Sequence, residues 1–181
     1  MEFKAFPKIA RLSREIIVTE KIDGTNGQIY IGENGEFLVG SRTRWITPLD
    51  DNFGFAAWAY THRDELLKLG PGQHFGEWYG SKIQRGYAKA DKSFALFNVD
   101  RWMDSTVRPK CCEVVPLLYR GIFSEPKIMD CLSVLRTEGS LISPGFMQPE
   151  GIIIYHVAAK IGFKKTLEKD ELRKGGHDET K

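Results

Sequence analysis

Apolar positions along this chain alternate over short runs more often than they recur at helical spacing. EIIVTEKI (residues 15–22) is rich in β-branched residues and QIYIG (28–32) alternates, which predicts strands at 16–22 and 28–32 joined by the turn DGTNG. Asn34-Gly35 has the chemistry of a two-residue hairpin turn needing φ > 0 and leads into a strand at 36–42. The first 45 residues therefore read as an antiparallel meander. Over NFGFAAWAYTHRDELLKL the period lengthens to that of a helix, spanning 52–69, with Asp50 or Asp51 as a cap. A break is expected near Thr61, and Gly70-Pro71-Gly72 stops the segment. Further strands are predicted at 73–79, 94–100, 112–119, 151–158 and 161–167. A second helix is predicted over 125–137, where Ile128, Leu132 and Leu135 share a face and Ser124 is placed to cap. Most connections are too short for parallel crossovers, so the pattern specifies an α+β fold of antiparallel sheets. From Lys169 the polar run KDELRKGGHDETK predicts a flexible tail, which leaves residues 1–168 as one domain.

Composition narrows the picture by exclusion. At 181 residues the chain suits one well-buried domain better than two. A net charge of +2 supplies no global field for nucleic acid, so such a partner would need a local basic cleft. No apolar run approaches the roughly 18 residues a membrane span requires, and the N-terminal stretch MEFKAFPKIARLSRE lacks the apolar segment of a signal peptide. Three cysteines, two of them adjacent at 111 and 112, form neither a disulfide framework nor a zinc pair-of-pairs. A cytoplasmic protein is expected.

Charged residues stand at unusual places: strand ends, beside glycines, inside apolar runs. Lys21 precedes Asp23-Gly24 at the first turn; Arg42 and Arg44 end the hairpin's return strand. Glu77 lies in HFGEWYG among aromatics, Glu150 opens the apolar strand GIIIY, and Lys164 and Lys165 form a pair inside IGFKKTL. One such residue is most often a solvated strand-end charge. Together they supply cations and carboxylates of the kind that bind and cleave a triphosphate with a metal. No P-loop G-x-x-x-x-G-K-[ST] and no G-x-G-x-x-G occurs, so a nucleotide would be held by side chains and strand ends.

The order K-x-D-G in KIDGTN, a downstream SR, an aromatic-flanked GE, EG before an apolar strand and a lysine within a strand resembles the covalent nucleotidyltransferases, the polynucleotide ligases and mRNA capping enzymes. Asn26, where DNA ligases and capping enzymes usually carry Arg, is similar to the nick-sealing RNA ligases typified by the second RNA ligase of phage T4. The likeness runs from about Phe3 to Asp170. It implies the adenylyltransferase core, with antiparallel sheets enclosing an AMP pocket and no OB-fold. It also implies an ATP-dependent RNA ligase with Mg²⁺ (or Mn²⁺), whose lysine attacks the α-phosphate of ATP to form a lysyl-AMP. The AMP then passes to an RNA 5′-phosphate, and a 3′-OH displaces it. An ordinary lysine with a pKa near 10.4 is only about 0.04% neutral at pH 7, so a lysine nucleophile needs a neighbouring cation or a metal.

By the same resemblance Lys21 is the nucleophile. Asp23, Glu77 and Glu150 serve the metal, Glu77 also holds the ribose, and Arg42 grips AMP or the RNA 5′-phosphate. Asn26 orients a phosphate or the 3′ end, and the backbone of Glu20 and Ile22 reads the adenine edge. Lys164 contacts the α-phosphate, with Lys165 as the alternative. Phe97 in SFALFNV matches the aromatic that stacks on adenine, plain core packing being the other reading; the family has Asp where Asn98 stands here. Lys82, Arg85, Lys89 and Lys92 either track an RNA backbone or form a solvated loop. The RNA partner is expected to present 5′-phosphate and 3′-OH ends in a nicked duplex, sealed by the core alone or with an accessory RNA-binding protein. The rival readings are a DNA ligase or capping guanylyltransferase core, and a non-catalytic nucleotide- or RNA-binding relic.

Overall fold

Val18 and its neighbours Ile16 and Ile17 are buried on both faces of one strand, and that strand organises the molecule. The computed structural model describes residues 1–168 and 170, so the rest of the predicted tail lies outside the described residues. Ten strands are described: β1 (Glu15–Lys21), β2 (Thr25–Ile31), β3 (Phe37–Gly40), β4 (Trp45–Ile46), β5 (Gly72–Gly80), β6 (Lys92–Leu96), β7 (Cys112–Val114), β8 (Leu117–Ile122), β9 (Gly151–His156) and β10 (Ile161–Thr166). Four α-helices accompany them: α1 (Phe55–Thr61), α2 (Arg63–Leu66), α3 (Val99–Trp102) and α4 (Glu125–Glu138).

The strands form two sheets, ordered β10-β9-β1-β8 and β4-β3-β2-β5-β6-β7. The α+β, antiparallel expectation holds for every neighbouring pair but one, since β6 and β7 run parallel. On the four-stranded sheet, Ile16, Val18, Ile152 and Ile154 face α4, where Ile128, Leu132 and Leu135 complete a core. Ile17 points the other way and meets Tyr79, Ala95 and Val115 between the two sheets. The outer face of the six-stranded sheet buries Ile29, Val39, Trp78 and Phe94 against Phe55 and Ala59 of α1.

Four local expectations need correction. β1 does not pair with β2; the DGTNG turn instead carries the chain from one sheet to the other, because β1 is taken on both edges by β8 and β9. The Asn34-Gly35 hairpin is a longer loop in which Gly35 alone takes positive φ, and the Gly32 N–H donates to the Glu36 carbonyl at 2.9 Å. The strand predicted to reach residue 100 stops at Leu96, because Asn98 accepts from the Arg101 N–H at 3.2 Å and starts α3. The strand predicted over 112–119 divides at Val115-Pro116, and its halves join different sheets. A proline cannot donate to a ladder, so the break falls there. The 52–69 helix does break after Thr61, and Asp51 caps its start by accepting from the N–H groups of Ala56 (2.7 Å) and Ala57 (2.9 Å).

The buried face of α4 yields a stability test. Leu132, 1% exposed, should cost about 2–5 kcal/mol when cut to Ala. Val134→Ala, on the exposed side of the same helix, should change stability by no more than about 0.5 kcal/mol. Urea unfolding followed by circular dichroism measures both, and equal losses would mean that α4 packs through another face.

Candidate active site

Strands of the two sheets bring Lys21, Glu77, Glu150 and Asn26 to one place. Lys21 is the last residue of β1 and pairs with Gly151, the first of β9, so Glu150 stands beside it. The Lys21 Nζ donates to Glu150 Oε2 at 2.6 Å, with side chains 19% and 11% exposed. Gly151 is obligatory here: its φ is +152°, and a Cβ would overlap the Lys165 carbonyl oxygen.

Glu77 comes from the middle of β5 on the opposite sheet. Its carboxylate accepts from the Gly24 N–H at 3.1 Å and from Asn26 Nδ2 at 2.9 Å. Gly24 can approach so closely because it has no side chain; a Cβ would lie 2.9 Å from that of Tyr79. Burial pushes the Glu77 carboxyl up to about 7, against the opposing pull of Lys21 and the two donors, and the Glu150 charge adds to the rise. Lys21, Glu77 and Glu150 together carry a net charge of −1 when all are ionised, which suits an added cation. Among the described residues no three His, Cys, Asp or Glu side chains converge as direct metal ligands. Two carboxylates converging on one point fit a cation that takes the rest of its shell from water or phosphate oxygen, as Mg²⁺ prefers.

The turn between the sheets is held from the β5–β6 loop. The Asp23 N–H donates to Tyr87 Oη at 2.8 Å, while Arg85 donates through Nε to Asp23 Oδ2 (3.1 Å) and through a terminal nitrogen to the Gln148 carbonyl (2.9 Å). One guanidinium thus ties the turn after Lys21 to the segment before Glu150. That loop is costly to form: Lys82, Gln84, Tyr87 and Ala88 all have positive φ without being glycine.

Comparison with known proteins supplies the family. The RNA ligase family's sequence model matches residues 14–169. The chain belongs to the RNA ligase family. Among solved structures, a glutamate-to-alanine variant of the Naegleria gruberi RNA ligase with ATP and Mn superposes with a TM-score of 0.63 at 16% identity, over 87% of this chain and 51% of that one. A lysine-to-methionine variant of that enzyme with AMP and Mn gives 0.62 at 18%, over 86% and 50%, and a lysine-to-alanine variant without ligand gives 0.62 at 18%, over 85% and 50%. The shared fold is an RNA ligase fold, and this chain spans about half the length of each matched structure. Among the described residues no helix is long and apolar enough to cross a membrane.

Within this RNA ligase fold the expected site residues divide. Lys21, Asp23, Asn26, Glu77 and Glu150 sit together. The two lysines of β10 separate by register: Lys164 lies opposite Ile153 and Thr19, on the face that carries Lys21. Lys165 lies opposite Ile152 on the face toward α4 and pairs with Asp170 at 3.2 Å. Phe97, at the end of β6, is 41% exposed, so it is not core packing. Arg42 is exposed at the end of β3. The Glu20 N–H is already given to the Pro116 carbonyl at 3.0 Å, and its buried carboxylate accepts from Ser140 Oγ (2.6 Å), Leu141 N–H (2.8 Å) and Ile142 N–H (3.1 Å). Burial still raises that carboxyl above its ordinary value.

Three of the four basic loop residues are engaged by the protein itself. Arg85 holds Asp23, Lys89 bonds Tyr79 (3.2 Å) and Glu113 (3.1 Å), and Lys92 donates to the Phe53 carbonyl at 2.6 Å. Sequence reasoning missed Ser140 and Gln148, which carried no distinguishing pattern, and took Tyr87 only as the aromatic among the basic residues 82–92, not as the group that holds Asp23.

The raised Glu77 carboxyl has a sign that can be measured. Its folded value lies above the unfolded one, so its contribution is intact below about pH 4.5 and is lost as pH rises through about 7. From pH 5 to 8 the wild type should lose about 2–3 kcal/mol relative to Glu77→Gln, read by urea unfolding at each pH. Parallel profiles would mean that Glu77 titrates at its ordinary value.

Proposed function

We propose that this chain is the adenylyltransferase domain of an ATP-dependent RNA ligase, residues 1–168 forming that domain, and that Lys21 is its covalent nucleophile. The observation that carries this reading is Lys21 held between two carboxylates from opposite sheets, in a chain of the RNA ligase family. An ammonium has no lone pair, so Lys21 must give up a proton before it attacks. The proton passes from Nζ to Glu150, its hydrogen-bond partner, or to water, and the lone pair is then free to turn to the triphosphate. Nζ bonds to the α-phosphorus, the bond to pyrophosphate breaks, and Lys21 is left carrying AMP through a phosphoramidate.

Lys164, on the Lys21 face of its sheet, is assigned the α-phosphate and the charge that develops there. Glu77, bonded to Asn26 and the Gly24 N–H, is assigned the ribose. Phe97 offers a ring to adenine on the same face of its sheet as Glu77. Arg42 and Asn26 are assigned to phosphate or the RNA end, and the adenine edge is assigned to the backbone of Ile22 and of Glu20, whose N–H is held by the Pro116 carbonyl. A divalent cation, Mg²⁺ or Mn²⁺, would be held through water by Asp23, Glu77 and Glu150, and when bound it neutralises phosphate charge. The matched Naegleria gruberi structures with ATP or AMP and Mn support that cofactor pair. The RNA partner then presents a 5′-phosphate to receive AMP and a 3′-OH to displace it, across a nick in a duplex.

The test is a joining assay on a nicked RNA duplex with a 5′-phosphate, Mg²⁺, and ATP or GTP. Joining with ATP and not GTP is expected. Phe97→Leu should raise the ATP concentration for half-maximal rate about tenfold, since stacking on a base contributes about 1–3 kcal/mol. Joining of DNA alone, or with GTP, would favour the DNA ligase or capping reading. An unchanged ATP requirement in the variant would remove Phe97 from the nucleotide site.

A further inference from the structure

The face of the six-stranded sheet that carries Asn26 and Glu77 continues outward as a row of which the nucleotide chemistry uses only the last member, Phe97. Strand register aligns Trp45 with Gly40, Gly40 with Gln28, and Gln28 with Phe75. The row ends on Phe97, whose N–H donates to the Phe75 carbonyl at 3.0 Å. Directly paired residues share a face, so these five side-chain positions lie in one line across the sheet, one row beyond Asn26 and Glu77.

Their exposure is unusual for large aromatics on a sheet: Phe75 50%, Trp45 48%, Phe97 41%. The opposite face of these strands is fully used, burying Ile29, Val39 and Ile46. Gly40 leaves room for the Gln28 amide, which lies over it and donates to the Ser41 carbonyl at 2.9 Å. Tyr30, in the next row, supports Trp45 with ring centroids 6.4 Å apart. Exposed Arg42 stands in the turn between β3 and β4, at the Trp45 end of the line. Flat apolar rings on either side of one amide plane, beside an exposed cation and leading to a phosphate-handling site, match the chemistry of a polynucleotide whose bases are unpaired. A paired duplex has its base faces stacked internally and offers none to such rings.

Resting on the RNA ligase reading above, we propose that Phe75 and Trp45 form a stacking shelf for unpaired nucleotides of the RNA end. The strand beside the break leaves its partner, lays its bases across the shelf and directs its terminal phosphate or hydroxyl toward Lys21.

Trp45 makes the test direct, because Trp78 and Trp102 are buried at 2% and 4% exposure and Trp58 is partly buried. Titration with a single-stranded RNA 12-mer should quench tryptophan emission in the wild type. Trp45→Phe should lose most of the quenching while keeping affinity, because a phenyl ring still stacks. Trp45→Ala and Phe75→Ala should each weaken oligonucleotide binding about tenfold, measured by anisotropy of a labelled strand. Self-labelling with ATP, measured without RNA in the same preparations, separates the two proposals. Intact labelling with unaltered oligonucleotide affinity in both alanine variants overturns the shelf and leaves the ligase reading standing. A loss of labelling that matches the loss of RNA binding also overturns it, since the rings would then belong to the nucleotide pocket. Absence of labelling in a wild type whose mass shows no AMP already attached would count against the ligase reading, whatever the shelf binds.

Discussion

The contact between Lys21 and Glu150 constrains more of this structure than any other single interaction. Both side chains are largely withdrawn from water, and removing one partner of such a pair leaves a charge the interior cannot solvate, at a typical cost of about 3–5 kcal/mol. The pair exists only because β1 ends where β9 begins and the two run antiparallel in a fixed register. A slip of one residue would turn Lys21 to the α4 side of the sheet. The packing of Ile16, Val18, Ile152 and Ile154 against α4 therefore aims the lysine as well as stabilising the fold.

The rest of the site is organised around that point by division of labour. The four-stranded sheet supplies Lys21 and Glu150 and places Lys164 on the same face; the six-stranded sheet supplies Asn26, Glu77 and the aromatic ring of Phe97. Two devices hold the segments around the site in place. One is the β5–β6 loop, whose Arg85 and Tyr87 hold Asp23 and Gln148 at the expense of several positive φ angles. The other is Glu20, a buried carboxylate that anchors the segment around Ser140 through three donors. Neither device is chemistry in the proposed reaction, yet each fixes residues adjacent in sequence to Lys21 or shortly before Glu150.

Much of this was legible in the residues. β-Branched runs located β1, β2 and β9, the spacing of Ile128, Leu132 and Leu135 located α4, and glycines beside charged residues marked Lys21, Glu77 and Glu150. What pattern could not reveal was which strand pairs with which. DGTNG has the composition of a hairpin, but β1 is more stable between β8 and β9, so the turn became a crossover between sheets. Val115-Pro116 reads as the middle of a strand until tertiary pairing assigns its halves to different sheets. Lys164 and Lys165 are indistinguishable as letters; only the pairing with Ile153 and Ile152 separates them. The roles of Arg85, Tyr87 and Ser140 are long-range contacts, spanning 62, 64 and 120 residues, and no local spacing encodes them.

The central claim is that Lys21 is placed to become covalently attached to AMP, and mass spectrometry tests it most directly. The protein is incubated with ATP and Mg²⁺, digested under conditions that preserve phosphoramidates, and mapped, with the untreated protein mapped in parallel. The account predicts an adenylyl group on the peptide containing Lys21, acid-labile and absent from Lys21→Ala. An adduct on another lysine, or an unmodified Lys21 in both preparations, would contradict it.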